Sequence, residues 1–176
     1  MMHRLKEMWR WALSPDRPFR EKGMYRSGRP NRMARVMNRL GAWVGNAGLW
    51  RNRLVTLEVP GRRSGKVVSF PLVVARHQGE LYLVSMLGED ANWVANVRAV
   101  GGHVVLVRGS RQAVHLEEVD PSLSAPILKR YLQVAPGARA HIPVDQHAPL
   151  AEFERIAPHY PVFGVNTDRV SQEIKQ

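Results

Sequence analysis

Gly61-Arg62-Arg63-Ser64-Gly65-Lys66 separates two runs of β-forming residues, 54–59 before it and 67–75 after it. Two glycines within six residues allow a tight turn, so the two runs are predicted to form neighbouring antiparallel strands. The turn exposes backbone N–H groups and three cationic side chains at the edge of a sheet, an arrangement that suits an oxyanion. A basic hairpin that serves only solubility explains this stretch equally well when it is taken alone.

The rest of the body of the chain is also rich in short strands. Further strands are predicted at 81–86, 103–108, 111–118 and 161–165. Helices are predicted at 92–100, from Asp120 or Ser122 to Val134, and at 150–157. Five or six mostly antiparallel strands with helices inserted late indicate an α+β fold built on a small β-barrel with peripheral helices. Because strand and helix do not alternate, a doubly wound sheet is not expected.

The amino-acid composition excludes several kinds of site and of protein. The 176 residues, 44% of them hydrophobic, suffice for one domain with a substantial core. No cysteine is present, which excludes disulfides, thiolate nucleophiles and thiolate metal sites. No stretch reaches the roughly 20 apolar residues of a membrane span, and Arg10 interrupts the best candidate for a signal-peptide core. The sequence therefore predicts a cytoplasmic protein.

The net charge of +11 is concentrated at the N-terminus. Residues 1–53 hold 13 Lys and Arg against 3 Asp and Glu, whereas residues 54–176 hold 13 against 12. Two amphipathic helical patterns lie in this region, at 1–13 and 33–44. We therefore predict a basic helical arm at 1–48 and a barrel domain at 49–176. The arm either packs on the barrel or attaches to an anionic membrane surface on the inner face of the cell membrane. Binding to nucleic acid is a third alternative, but the sequence contains no nucleic-acid-binding motif.

Several familiar catalytic motifs fail. The 61–66 stretch is one residue too short for a Walker A loop, and Val67 stands where Ser or Thr is needed. Ser64 is not in a nucleophile elbow, and no Gly-x-Gly-x-x-Gly follows a strand. The seven histidines have no metal-ligand spacing, so no metal site is predicted. The carboxylates form no pair suited to hydrolysis.

Four motifs together resemble the deazaflavin-dependent nitroreductase family, a branch of the split β-barrel flavin-binding proteins. They are the 61–66 turn, Pro71-Leu72, Leu-Val-Ser-Met-Leu-Gly at 83–88 and Asn-Trp-Val-Ala-Asn-Val-Arg-Ala at 92–99. The resemblance covers about 49–119, with a looser match over 131–161. It implies a split barrel and an oxidoreductase that transfers hydride from reduced coenzyme F-420 to a quinone, nitro or enone-type acceptor.

The resemblance also implies roles for particular residues. The side chains of Arg62, Arg63 and Lys66, with the backbone N–H groups of Ser64 and Gly65, would bind the phosphodiester and oligoglutamate anions of the coenzyme. The other implied coenzyme contacts lie around the ring and ribityl chain: Pro71, Ser85, Met86, Leu87, Gly88, Trp93 and Asn96. Asn96 would hold either the loop or the coenzyme, and Trp93 is equally well explained as a core anchor of its helix.

A proton donor to the reduced acceptor is optional in this chemistry. The candidates are Tyr131, His159 and Tyr160, with His141 beside them. Two alternatives remain open at this point: an FMN- or haem-binding protein with the same barrel, and a non-catalytic barrel that binds a lipid or fatty acid. The expected partners are a small-molecule electron acceptor and a second copy of the chain in a homodimer.

Overall fold

A computed structural model describes residues 25–26, 29–30 and 53–167. The chain divides into two units, residues 1–52 and residues 53–176. In the first unit, β1 (Tyr25–Arg26) and β2 (Arg29–Pro30) pair as antiparallel strands. The two helices predicted within 1–48 lie outside the described residues.

The second unit contains a closed six-stranded barrel. Its strands are β3 (Leu54–Pro60), β4 (Val67–His77), β5 (Glu80–Val84), β6 (His103–Arg108), β7 (Ser110–Glu118) and β8 (Val162–Asn166). The order around the barrel is β3-β4-β5-β8-β7-β6, and every neighbouring pair is antiparallel. The structure therefore confirms the predicted α+β fold with a small antiparallel barrel.

Three α-helices accompany the barrel: α1 (Asn92–Ala99), α2 (Pro121–Val134) and α3 (Leu150–Ile156), with 3₁₀ turns at Pro136–Ala140 and Ala157–His159. Asp120 is the N-cap of α2, because its Oδ1 accepts a hydrogen bond of 2.8 Å from the Ser122 N–H. The bonds from Ser122 lower the pKa of the Asp120 carboxyl. Of the two predicted caps, Asp120 is the one observed.

Alternation along the strands fills the interior of the barrel. On β3, Val55, Leu57 and Val59 are buried while the residues between them are partly exposed, as the two-residue period of a strand requires. Leu83 of β5 and Phe163 of β8 are also buried, and they pair with each other across the two strands. Each such side chain contributes about 1.5–3 kcal/mol through burial.

A second apolar layer lies outside the barrel. The buried face of α2 packs against the outer surface of β4, and Phe153 of α3 joins the same cluster with Ala75 and Val84 from the strands. Strands β4 and β5 are therefore covered on both faces, which explains why their sequences are continuously apolar rather than alternating.

Strand register places two connections at the same end of the barrel. Pro60 of β3 pairs with Val67 of β4, and Val84 of β5 pairs with Val162 of β8. Because β3 and β5 are both antiparallel to β4, they run in the same direction, and the 61–66 turn and the 85–91 connection leave from one end. Helix α1 follows that connection and packs at this end, which we call the α1 end.

Candidate functional site

The 61–66 turn is closed by its own backbone. The Gly61 N–H donates to Lys66 O over 2.8 Å, while the N–H groups of Ser64 and Gly65 donate to Gly61 O over 3.1 and 2.8 Å. Gly65 has a φ of +64°, a conformation that glycine adopts without strain. Both N–H groups are thus used within the turn in this conformation, and their binding of an anion stays a prediction.

Arg62 is directed along α1. Its backbone N–H and its Nη1 donate to Asn96 Oδ1 over 3.2 and 2.9 Å, and its Nη2 donates to Asn92 Oδ1 over 3.3 Å. Asn96 is only 4% exposed, so its amide oxygen requires such donors. Of the two roles predicted for Asn96, the structure shows the first: it holds the loop.

Two cations of the turn remain exposed. The side chains of Arg63 and Lys66 face solvent and make no hydrogen bond or ion pair with the described part of the chain. Glu58 is the one carboxylate of the β3–β4 hairpin, and Arg111 binds it over 2.6 Å. Within the described residues, the turn therefore presents two positive charges without a carboxylate partner at the α1 end.

A second tight turn, Ser85 to Gly88, begins where β5 ends. Ser85 is fully buried, and its Oγ donates to Gly88 O over 2.7 Å. Its N–H donates to Pro161 O over 2.9 Å, which joins the turn to the start of β8. Gly88 has a φ of +77°, and a Cβ there would lie 3.1 Å from His159 O. These hydrogen bonds hold the turn against the start of β8, and His159 O approaches Gly88 too closely for a side chain there.

The side chains of this turn differ in exposure. Met86 is half-buried against the apolar layer beneath α2, whereas Leu87 is 47% exposed. An exposed leucine on a fixed turn offers an apolar contact at the α1 end.

Pro71 lies on a strand segment with one hydrogen-bonded neighbour. It pairs with Thr56 of β3, whereas β5 pairs with β4 only from Val74 onward. A residue without an N–H loses no ladder hydrogen bond on the side that faces away from β3. The free edge of β4 starts where the Ser85 to Gly88 turn leaves the barrel.

Two carboxylates near the site, Glu89 and Glu118, are both bound by one arginine. Arg98 of α1 binds Glu118 at the end of β7 through two nitrogens, with 2.9 Å between Nε and Oε2. Its Nη1 lies 2.6 Å from Glu89 Oε2 in the connection after Gly88. The hydrogen bonds from Glu118 and then Glu89 raise the pKa of Arg98. Sequence reasoning missed this network, although an acidic loop before a helix that ends in arginine is a usable signal.

Trp93 is a core residue. It is 6% exposed, and its ring packs against Phe163 with centroids 5.3 Å apart and planes inclined by 58°. Such a tilted pair stabilises the contact between α1 and the inside of the barrel. The core-anchor interpretation is thus the one that the structure supports.

The predicted proton donors lie in two different parts of the structure. Tyr131 is 3% exposed within the layer between α2 and the sheet, a position that favours a packing role over proton donation. His159 is exposed beside Gly88, and Tyr160 donates its hydroxyl to His141 O over 3.0 Å. His159 and Tyr160 therefore lie at the α1 end, whereas Tyr131 belongs to the core because it points from the inner face of α2.

Replacing Tyr131 with Phe is expected to leave kcat within about twofold of the wild type, because the hydroxyl is remote from the α1 end. Burial raises the pKa of Tyr131 above its ordinary value of 10. Above about pH 10 the unfolded chain loses this proton while the folded chain retains it, so stability falls as the pH rises. Urea unfolding at pH 9 to 11 should show a smaller fall in Tyr131→Phe than in the wild type. A large loss of kcat in this variant would contradict the core assignment.

The described residues contain no group of three or more potential metal ligands. None of the helices in the described ranges is long and apolar enough to cross a membrane. The site thus consists of a basic turn, a hydrogen-bonded glycine turn and the start of β8.

This fold and site define a split-barrel protein of the flavin- and deazaflavin-binding type. The family model for F420H(2)-dependent quinone reductases matches residues 31–149, and the chain belongs to that family. The protein is therefore an oxidoreductase that uses coenzyme F-420. No curated protein matches the sequence.

Several solved structures are similar to the chain at low sequence identity. An F420-H2 dependent reductase, FDR-A, is 22% identical over 65% of this chain and 94% of its own, with a TM-score of 0.45. A NimC/NimA family protein from Clostridium acetobutylicum is 12% identical over 74% of this chain and 80% of its own, with a TM-score of 0.43. A protein described as a domain-swapped dimer is 20% identical over 74% and 96%, with a TM-score of 0.42. The family membership rests on the sequence match.

The donor set of the site fits an anionic coenzyme. Arg63 and Lys66 are exposed and have no carboxylate partner among the described residues, while Glu89 and Glu118 are both bound by Arg98. An oligoglutamate tail therefore meets net positive charge at the 61–66 turn.

Proposed function

We propose that the protein catalyses the reduction of a quinone by reduced coenzyme F-420 at the α1 end of the barrel. The observation that carries the proposal is the placement of two turns at one end: a basic turn with Arg63 and Lys66 exposed, and a hydrogen-bonded turn from Ser85 to Gly88 with Leu87 exposed. The coenzyme, when bound, supplies the hydride. The residues of the chain hold and orient the reactants.

Each part of the site has a distinct task in this proposal. Arg63 and Lys66 bind the phosphodiester and glutamate anions, and the main chain of Ser85 to Gly88 flanks the ring. The free edge of β4 near Pro71 borders the same space. Leu87 gives a lipophilic acceptor an apolar contact, which favours a quinone over small polar acceptors.

A proton can reach the reduced acceptor from the segment beside Gly88. His159 is exposed there, and its carbonyl oxygen is the atom closest to a Cβ placed on Gly88. Tyr160 is held by its bond to His141 O. We assign these two residues as candidate proton donors, with His159 the better placed because it is free to reorient.

The function is tested by mixing the protein with reduced F-420 and a menaquinone analogue and following the absorbance of the coenzyme. Oxidation that depends on both protein and quinone is expected. A nitroimidazole and a cyclic enone, offered in parallel, show which acceptor class is preferred. Undetectable binding at micromolar coenzyme would refute the proposal, and tight binding of FMN or an extracted acyl chain in its place would favour the alternative barrels.

A quinone acceptor would explain why the chain carries a basic arm at 1–48. Quinones with long side chains reside in membranes, and each well-placed cation contributes about 1 kcal/mol to binding an anionic surface. We therefore propose that this arm forms a unit separate from the barrel domain at 49–176 and attaches to the inner face of the cell membrane.

Co-sedimentation with vesicles tests the arm. The full chain is expected to pellet with vesicles containing about a third phosphatidylglycerol, and to be released by salt on the order of 0.5 M, because screening weakens surface charge interactions. Deletion of residues 1–48 should abolish pelleting while the barrel still binds coenzyme. Pelleting equally with neutral vesicles, or no pelleting at all, would contradict the electrostatic attachment.

The homodimer predicted from the sequence stays a prediction. Light scattering of the purified full chain at several concentrations gives its mass directly, and a mass near that of a single chain, 20.0 kDa, would exclude it.

A further inference from the structure

The three cations of the 61–66 turn have different surroundings. Arg62 makes four hydrogen bonds to α1 through its backbone and guanidinium. Arg63 and Lys66 have exposed side chains without such bonds to the described residues. In the sequence the three cations look alike. In the structure one of them is hydrogen-bonded to α1, whereas the side chains of the other two face solvent and can contact a ligand.

The acceptor of Arg62 is fixed by the core. Asn96 lies on the buried face of α1 with Trp93 and Val97, and its exposure is 4%. The amide cannot swing toward solvent without opening that packing, so the turn takes its position from the helix. A planar guanidinium suits this task, because it reaches Asn96 Oδ1 and Asn92 Oδ1 at the same time through different nitrogens.

The helix also follows directly from the second turn. Asn92 lies four residues after Gly88, so α1 connects the glycine turn to the clamp formed by Arg62, Asn92 and Asn96. The separation between the basic turn and the Ser85 to Gly88 turn is therefore set through α1.

We propose that Arg62 is a positioning residue, which fixes the basic turn on α1 through Asn96 so that Arg63 and Lys66 alone contact the anionic part of the coenzyme. The inference rests on the proposed function, whose coenzyme site it divides into a clamp and a contact pair. It predicts that Arg62 acts on coenzyme affinity through Asn96 rather than through its own charge.

A double-mutant cycle distinguishes these roles. The dissociation constant of F-420 is measured by quenching of tryptophan fluorescence in the full chain. Arg62→Ala and Asn96→Ala are each expected to weaken binding about tenfold, and the double variant by no more than the worse single variant. Arg63→Ala combined with Asn96→Ala should weaken binding more than either single variant but by less than the product of their effects, because the clamp acts by placing a turn whose other cation, Lys66, remains. Multiplicative effects of Arg62→Ala and Asn96→Ala would overturn the proposal.

Arg62→Lys separates charge from geometry without removing the side chain. A single ammonium cannot bind both asparagines as the guanidinium does, so Arg62→Lys should lose nearly as much affinity as Arg62→Ala. The weakening caused by Arg62→Lys should also persist at about 0.5 M salt, because it is not a screened contact with the ligand. Affinity equal to that of the wild type in Arg62→Lys would identify Arg62 as a charge contact and refute the clamp.

The coenzyme-free protein supplies a separate test. The same cycle is applied to the free energy of unfolding in urea, with Asn96→Asp, which retains an acceptor oxygen, as a second variant if Asn96→Ala does not fold. Non-additive effects of Arg62 and Asn96 substitutions support the clamp, and additive effects overturn it. If the wild type does not bind F-420 at all, the proposed function fails and the coenzyme-positioning role fails with it, whereas the unfolding cycle still decides whether the clamp exists.

Discussion

Replacing Gly102 with Ala is expected to destabilise the protein by about 3 kcal/mol or more and to lower its melting temperature by roughly 6–12 °C. Gly102 has a φ of +82°, and a Cβ at this position would lie 2.2 Å from Leu116 O. That oxygen belongs to a strand of the barrel, so it cannot move aside as a flexible side chain would. Substitution must therefore shift the backbone between α1 and β6.

The hydrogen bonds of Gly102 explain why such a shift is costly. Its N–H donates to Val97 O over 3.0 Å, and its carbonyl accepts from the Leu116 N–H over 2.8 Å. The residue thus connects the last turn of α1 to β7 at the same point where the Cβ would clash. Because α1 carries Asn96, we also expect weaker coenzyme binding in the variant.

Gly101 provides the matched control. It too has a positive φ, +61°, but a Cβ there would meet nothing closer than His103 Cδ2 at 3.9 Å. Gly101→Ala should therefore cost about 1 kcal/mol, the usual penalty of the left-handed conformation. Calorimetry or urea unfolding of both variants gives the comparison. Equal losses at the two positions would show that backbone conformation, and not the contact with Leu116 O, limits residue 102.

The barrel itself could be predicted from the sequence because its signals are local. Alternating or continuous apolar runs identify strands, and glycines mark the turns between them, as at Gly65 and Gly109. The N-cap Asp120 is read in the same way from its position before α2. The sequence predicted five or six mostly antiparallel strands in a small barrel, whereas their closed order comes from the structure, because it depends on which strands pair.

The site was less predictable, because its geometry depends on hydrogen bonds between residues that are far apart in the sequence. Arg62 and Asn96 are 34 residues apart, and nothing in either neighbourhood indicates that they meet. Tyr131 looked reactive as an isolated tyrosine, but the helical period places it on the buried face with Leu128 and Leu132. In both cases packing between elements determined the role of a residue whose chemistry alone suggested ligand contact.

Removing the two exposed cations together, as Arg63→Gln with Lys66→Gln, is expected to weaken F-420 binding on the order of 10- to 100-fold at low salt. Each charge-assisted contact contributes about 1 kcal/mol or more at a partly solvated site, and 1.4 kcal/mol corresponds to tenfold. The side chains support no hydrogen bond to the described residues, so the melting temperature should change little. Fluorescence titration with F-420 measures the effect.

The control is Arg76→Gln with Arg108→Gln, which removes the same two charges near the opposite end of the barrel. Arg76 lies near the end of β4 and bonds to Gly79 O in the β4–β5 turn, and Arg108 ends β6. If long-range attraction by net charge were responsible for binding, the two double variants would lose affinity equally. A loss confined to Arg63 and Lys66, and reduced at about 0.5 M salt, instead requires direct contact between the 61–66 turn and the anionic coenzyme. Unchanged affinity in Arg63→Gln with Lys66→Gln would exclude that turn as the anchor, and the coenzyme would then have to be held elsewhere on the barrel.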